Sequence, residues 1–148
     1  MEYIRGGRRR SWARSQQSDF KVARSIFLAD TTQEAVRRVR ENSLGRNYEY
    51  IGGLFDKGLG RRVYKRDLNM PDADCRLDYL MTEQIIAGDV DEVLRRLLRL
   101  IEETGEFGTL IMMSYDWDDK PAWIHSLELF AKELMPALNK AVCTGNHQ

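Results

Sequence analysis

The stretch EQIIAGDVDEVLRRLLRLI, Glu83 to Ile101, decides the fold. Its first five residues, Glu83-Gln84-Ile85-Ile86-Ala87, read as a short buried strand closed by Gly88. Asp89 and Glu92 then open a helix, because carboxylates there accept from unpaired amides and meet the positive end of the helix dipole. Val90, Val93, Leu94, Leu97, Leu98 and Ile101 recur at spacings of three and four, so one face is apolar while Arg95, Arg96 and Arg99 point elsewhere. Thr104-Gly105 ends the helix with a residue that tolerates a left-handed cap.

The same grammar appears on both sides. Upstream, Phe20 to Leu28 carries Val22, Ile26 and Phe27 and leads through Ala29-Asp30 into Thr31 and Glu34, a capping-box spacing, with Ala35, Val36 and Val39 on one face. Downstream, Thr109-Leu110-Ile111-Met112-Met113 is an almost continuous apolar run, as expected of a parallel strand covered on both faces. Met112 and Met113 are accordingly read as core. A last helix starts near Pro121 and carries Trp123, Leu127, Phe130, Leu134 and Leu138 as its stripe. Three strand-then-helix units imply an α/β fold with a parallel sheet or part of a (β/α) barrel.

Between the first two units, Leu44 to Tyr79 follows neither period, with Gly45, Gly52, Gly53, Gly58, Gly60 and Pro71 beside Tyr48, Tyr50, Phe55 and Tyr64. A connection of this length implies a lid, a binding loop or short helices of its own. Residues 44–79 are therefore treated as an insertion or lid within an α/β domain spanning 20–140. Residues 1–19, with Arg5, Arg8, Arg9, Arg10 and Arg14 among glycines and serines, read as a basic flexible tail, and 141–148 as a second one.

Composition excludes several classes of function. With 23 basic and 23 acidic residues, 43% apolar content and a formal charge of zero, the chain has no global attraction to nucleic acid or anionic membrane. A nucleic-acid binder would depend on the arginine tail alone and ranks last. Cys75 and Cys143 make neither a disulfide framework nor a zinc site, which fits a reducing cytoplasm. No apolar run approaches a membrane span, and no signal-peptide core follows the arginines.

Motifs that carry chemistry are sparse. Gly58-Leu59-Gly60-Arg61-Arg62 lacks the third glycine and the strand-to-helix setting of a dinucleotide fingerprint. His125 reads as a partly exposed structural histidine, His147 lies in the tail, and no metal site is expected. Asp116, Asp118 and Asp119 precede a helix, where capping is the ordinary role. Tyr115, Asp116 and Trp117 follow the third strand, and barrel enzymes place their sites at strand carboxyl ends, the face that Asp30 and Gly88 would share. No catalytic or cofactor-binding residue is assigned.

Four stretches together resemble the carboxyl-terminal part of the bacterial luciferase-like family of flavin-dependent monooxygenases. They are Ile26-Phe27-Leu28-Ala29-Asp30-Thr31, Ile86-Ala87-Gly88-Asp89-Val90-Asp91-Glu92-Val93, Phe107-Gly108-Thr109-Leu110 with Tyr115-Asp116-Trp117, and Ser126-Leu127-Glu128-Leu129-Phe130-Ala131-Lys132-Glu133-Leu134-Met135-Pro136. Their order and spacing match the family from about Phe20 to Leu138. The resemblance implies the last three strands of a (β/α)8 barrel in which reduced FMN and oxygen oxidise a small organic substrate, with a flavin reductase as partner of the complete protein. On this reading Tyr48, Tyr50 and Phe55 are lid or substrate contacts, and Tyr115, Asp116 and Trp117 lie at the barrel mouth. Tyr115 stands where the family commonly has histidine.

Eight strands take about 250 residues, so the resemblance also implies that most flavin contacts lie outside this chain and that it does not bind FMN alone. Unpaired strand edges would then need cover, and a homodimer or other homo-oligomer is expected. The alternative is a non-catalytic self-association module derived from the same fold.

Overall fold

The computed structural model describes residues 20–58, 60–105, 107–113 and 118–145. Strand β1 (Lys21–Leu28) leads into α1 (Thr32–Glu41) and α2 (Ser43–Phe55), then a 3₁₀ turn (Arg62–Tyr64) and α3 (Leu77–Glu83). Strand β2 (Ile85–Gly88), α4 (Val90–Thr104) and β3 (Thr109–Met113) follow. The chain closes with α5 (Lys120–Leu129), a π-turn (Phe130–Leu134) and α6 (Met135–Gly145). Among the described residues no helix is long and apolar enough to cross a membrane.

All three strands are parallel, in the order β2-β1-β3. The α/β class and the three strand–helix units are thus as expected, but the strand order is not the sequential one of a closed barrel. Right-handed crossovers explain where the helices go. The step from β1 to β2 runs one way, and the step from β2 to β3 runs back across β1, so their helices cover opposite faces. One core joins Phe27, Ala29, Ile85 and Ala87 to Ala35, Val39, Leu44, Leu77 and Leu80. The other joins Ile26, Leu28 and Ile86 to Val93, Leu97, Leu134 and Leu138. The alternation of β1 residues between the two is the period-two signature of a strand buried on both faces.

The central position falls to β1, whose Ile26, Phe27 and Leu28 are at most 1% exposed. The expectation that Thr109–Met113 is covered on both faces is corrected. β3 is an edge strand with Ile111 44% exposed, because its neighbours across the sheet are the exposed lower half of β1.

Residues 44–79 contribute most of α2, the 3₁₀ turn and the start of α3, and their Leu44, Tyr48 and Leu77 join the core on one face of the sheet. Tyr48 on α2 is buried and its hydroxyl lies 3.0 Å from Ser25 Oγ on β1. The connection after α2 is clamped by Arg61, whose guanidinium is buried and forks onto both Asp56 oxygens at 2.8 Å while also donating to the Cys75 carbonyl at 2.7 Å. Gly60 supplies the positive φ of 68° this turn needs, with Asp72 Oδ2 2.9 Å from where a Cβ would stand. The Gly-Arg-Arg element therefore builds a turn.

Pro136 accounts for the π-turn. Without an N–H it cannot close an α-helical bond to residue 132, and the backbone widens over Phe130–Leu134 immediately before it.

Candidate active-site cleft at the carboxyl end of the sheet

Open parallel sheets bind ligands outside the carboxyl ends of their strands. Three helices begin there, and each is capped from within the chain. Thr31 Oγ1 accepts from Glu34 N at 3.2 Å at the start of α1. Asp89 Oδ1 accepts from Glu92 N at 2.9 Å at the start of α4. Asp119 Oδ1 accepts from Ala122 N at 3.2 Å at the start of α5.

The caps are tied to one another. Thr32 Oγ1 donates to Asp89 Oδ2 at 2.9 Å and accepts from Asp89 N at 3.1 Å, locking the first and second units together. The Glu92 amide, followed by the Thr32 hydroxyl, holds the Asp89 carboxyl below the usual carboxylate range. Gly88 belongs to this joint, because a Cβ there would stand 2.8 Å from Glu92 Cγ.

Where β3 ends, α5 takes over its place beside β1. Among the described residues the pairing runs as far as Ser25 with Met113, and the Leu28 N–H, which points to that side, has no strand partner there. Ser126, fully buried on α5, accepts it at 2.8 Å. One turn earlier, Trp123 packs edge-on against Phe27 with ring centroids 4.9 Å apart.

Around this junction lie five ionisable side chains. His125 Nε2 is 2.7 Å from Asp30 Oδ1, joining residues far apart in sequence. Arg38 bridges Glu34 (Nε to Oε1, 2.8 Å) and Asp119 (Nη1 to Oδ2, 2.5 Å). The Glu34 hydrogen bond is the main reason its guanidinium is held above its ordinary value. Two clefts flank the Arg38–Asp119 pair. One, of about 250 Å³, contains His125 and Asp30; the other, of about 350 Å³, is floored by Phe27, Ala122 and Trp123. Beside the larger one, Asp118 is drawn up by burial but kept below its usual value by Arg46, which pairs with it at 2.5 Å.

A further groove of about 310 Å³ lies between α3 and α4 and is rich in arginine. Its arginines serve the fold: Arg96 donates to the Met81 and Thr82 carbonyls at the end of α3, Arg95 pairs with Glu92, and Arg99 and Arg66 meet on Glu103. Burial lowers the pKa of Arg96.

Of the residues singled out from sequence, Tyr48 and Phe55 converge on Tyr64, with ring centroids 5.9 and 5.6 Å from it. Tyr50 points away and is 65% exposed. Tyr115, Asp116 and Trp117 lie outside the described residues, as do the arginine tail and His147. Asp118 and Asp119 are placed, and Asp119 caps α5 as expected. The Asp30–His125 pair, Arg38 and the buried Ser126 were not identified from sequence as site residues. The strand-end rule did place Asp30 on this face, and its counterpart on α5 was the missing half.

No family model matches the chain. Relatives of known activity do. The chain is 33% identical over 124 residues to 3,6-diketocamphane 1,6-monooxygenase of Pseudomonas putida, covering 82% of this chain and 33% of that enzyme. It is 28% identical over 128 residues to 2,5-diketocamphane 1,2-monooxygenase 1 of the same organism, covering 82% and 34%. A solved structure of the oxygenating constituent of 3,6-diketocamphane monooxygenase from Pseudomonas putida, a type II Baeyer–Villiger monooxygenase in complex with FMN, matches with a TM-score of 0.72 and 32% identity over 82% of this chain and 34% of that one. The chain therefore spans about a third of the length of the relatives it matches.

The described residues do not fit the phosphate of FMN. A helix N-terminus at a strand carboxyl end is the usual phosphate seat. Here Thr31, Asp89 and Asp119 occupy all three, two of them with carboxylates that would repel it. The space over Gly88, where a backbone could approach a phosphate, is filled by Glu92 and Thr32. Sequence identity and a common strand–helix framework over 82% of its length nevertheless make the descent plain: the homologues of this chain are luciferase-like, type II Baeyer–Villiger, FMN-dependent monooxygenases.

Proposed function

We propose that the chain is the carboxyl-terminal segment of an FMN-dependent monooxygenase, an oxidoreductase that uses reduced flavin and O₂ to oxidise a small organic substrate. The match to the FMN-bound relative, 32% identical with a TM-score of 0.72, carries this reading. Flavin binding and turnover require the strands that lie outside the matched third, since the helix N-termini described here are self-capped. The chain alone is inactive. In the whole enzyme it supplies the cleft beside Arg38, Trp123 and His125, and a flavin reductase delivers the reduced cofactor.

A chimera tests this: the chain replaces the matching third of the 3,6-diketocamphane monooxygenase. The expected result is no retained flavin and no oxygen uptake for the chain alone, with FMN bound and ketone-dependent oxygen uptake restored in the chimera. A folded, FMN-loaded chimera with no uptake on any ketone or other small organic substrate would overturn it.

A second reading is a non-catalytic module that self-associates, favoured by the open edge of β3. The Gly108 N–H bonds to Phe20, so Gly108, Leu110 and Met112 face β1, and the alternating Thr109, Ile111 and Met113 turn their backbone groups outward. An edge of this kind invites strand pairing. We propose a homodimer through it. Light scattering on the purified chain should show a dimer that Ile111→Lys converts to monomer; a monodisperse wild-type monomer rejects it.

A further inference from the structure

The arginine-rich groove between α3 and α4 shares no lining residue with the clefts at the carboxyl end of the sheet. Five arginines line it against three glutamates, a local excess of two positive charges in a chain whose net charge is zero. The glutamates are all engaged. Arg95 forks onto both oxygens of Glu92 at 2.7 and 2.9 Å. Arg99 and Arg66 meet on Glu103 at 2.9 and 3.2 Å, and Arg66 also reaches Glu83 at 3.7 Å.

Two arginines are left with no carboxylate among the described residues. Arg24 donates only to the carbonyl of Ala23, its neighbour in the chain, at 2.9 Å. Arg96 donates from Nη2 alone, to the Met81 and Thr82 carbonyls at 3.1 and 2.6 Å. Those two bonds use both hydrogens of that nitrogen, so Nε and Nη1 keep three donors with no acceptor among the described residues.

The sheet register brings these two side chains to one place. Arg24 lies two residues before Ile26, on the same face of β1, which is the face that α4 covers. Its neighbour Ser25 stands opposite Ile85, where β2 begins, so no residue of β2 stands beside Arg24 and its side chain reaches the groove. Arg96 enters from α4 and is half-buried; burial pulls its guanidinium below the ordinary value, although Glu92 and Glu83 act in the opposite sense. A cation drawn out of water without a counter-charge is destabilising, and an anion in the groove would offset that.

Guanidinium forks match the oxygens of carboxylates and phosphates. Two unpaired forks call for about two negative charges, whereas the three glutamates along the same groove disfavour a long polyanion such as a nucleic-acid strand. The groove also stands apart from a flavin seat. It meets the carboxyl end of α3 and the amino end of β2, not the strand carboxyl ends where ligands of parallel sheets gather.

We propose that this groove binds a small dianion whose charge is carried on oxygen, a phosphate group or a short dicarboxylate, held between the Arg24 and Arg96 guanidiniums. Because the ligand would bridge β1 and α4, its binding stabilises the folded chain.

The test is calorimetric titration and thermal unfolding of the whole chain with inorganic phosphate, succinate and acetate, each at constant ionic strength in chloride. Phosphate or succinate should bind saturably and raise the melting temperature, and acetate should not. A response to phosphate alone assigns a phosphate group, and a response to succinate alone a dicarboxylate. Arg24→Gln is the decisive variant, since that side chain bonds only to the adjacent carbonyl and its loss leaves the fold intact. It should weaken dianion binding about tenfold or more, the loss of a charge-assisted hydrogen bond. Lys132→Gln, which removes an exposed cation outside the groove, should leave binding unchanged. No saturable response to either dianion, an equal response to acetate, or full binding by Arg24→Gln would overturn the site.

Discussion

Removing one hydroxyl tests the strand order directly. Ser126 is fully buried and accepts the Leu28 N–H at 2.8 Å, on the side of β1 that pairs with β3 up to Ser25 and Met113 among the described residues. Ser126→Ala deletes the acceptor and leaves a buried backbone donor with nothing in its place. The cost of such an orphan is about 1–3 kcal/mol, because its desolvation is no longer offset. For a chain of this length, each kcal/mol lowers the melting temperature by roughly 2–4 °C, so a fall of about 2–12 °C is expected. Denaturant unfolding should show a lower midpoint at unchanged slope, since little surface is altered. Ser126→Thr keeps the hydroxyl and should recover part of the loss. If the Leu28 amide were instead bonded to another strand, as in a sequential barrel, Ser126→Ala would stay within about 0.5 kcal/mol of wild type, in the range of substitutions that touch no special feature. That result would refute the edge arrangement of β1, β3 and α5.

Three other outcomes follow from local geometry. Gly45→Ala would bring a Cβ to 2.2 Å from the Val39 carbonyl oxygen, so α1 and α2 must separate; a loss of about 1–3 kcal/mol or more is expected, measured by denaturant titration. Cys143 is exposed while Cys75 is buried, with its thiol pushed up by that burial, so a chromogenic disulfide reagent should modify one thiol quickly and the second only on unfolding. Asp56 is held below the usual carboxylate value by its hydrogen bond to Arg61, Asp72 by Lys65, Asp89 by the Glu92 amide and Glu92 by Arg95. The unfolded chain therefore binds more protons as pH falls, so this stability is complete above the unfolded carboxylate values near about 4 and drains away as pH drops through the lower folded ones. Melting temperatures should be level between about pH 5 and 7 and fall below that, with Asp89→Asn blunting the fall.

The elements were legible where a single period was strong. Val93 and Leu97 at the centre of one helix face, and Thr31, Asp89 and Asp119 at three helix starts, do in the structure what their spacing implies. The order of the strands was not legible, because hydrophobicity marks a strand as buried without saying which neighbours bury it. Met112 and Ile26 look alike in sequence, yet Ile26, paired with Ile86 on β2, is fully buried while Met112 lies in a strand that has one neighbour among the described residues. Residues 44–79 were opaque for a related reason. Their glycines suggested loop, but Gly52 and Gly45 sit inside α2 where a neighbouring group needs the space: the Arg61 guanidinium in one case, the Val39 carbonyl in the other. A glycine chosen for close packing and one chosen for a turn are written with the same letter.

The site shows the same limit more sharply. Asp30 could be placed at a strand end from the sequence, because that needs only the strand to be recognised. His125 could not be joined to it, since their contact depends on α5 lying beside β1, which is a property of the tertiary arrangement as a whole. That placement also seats Trp123 on Phe27 and puts Asp119 within reach of Arg38. One arrangement, α5 lying beside β1, thus assembles the Asp30–His125 pair, the Arg38–Asp119 bridge and the buried indole together.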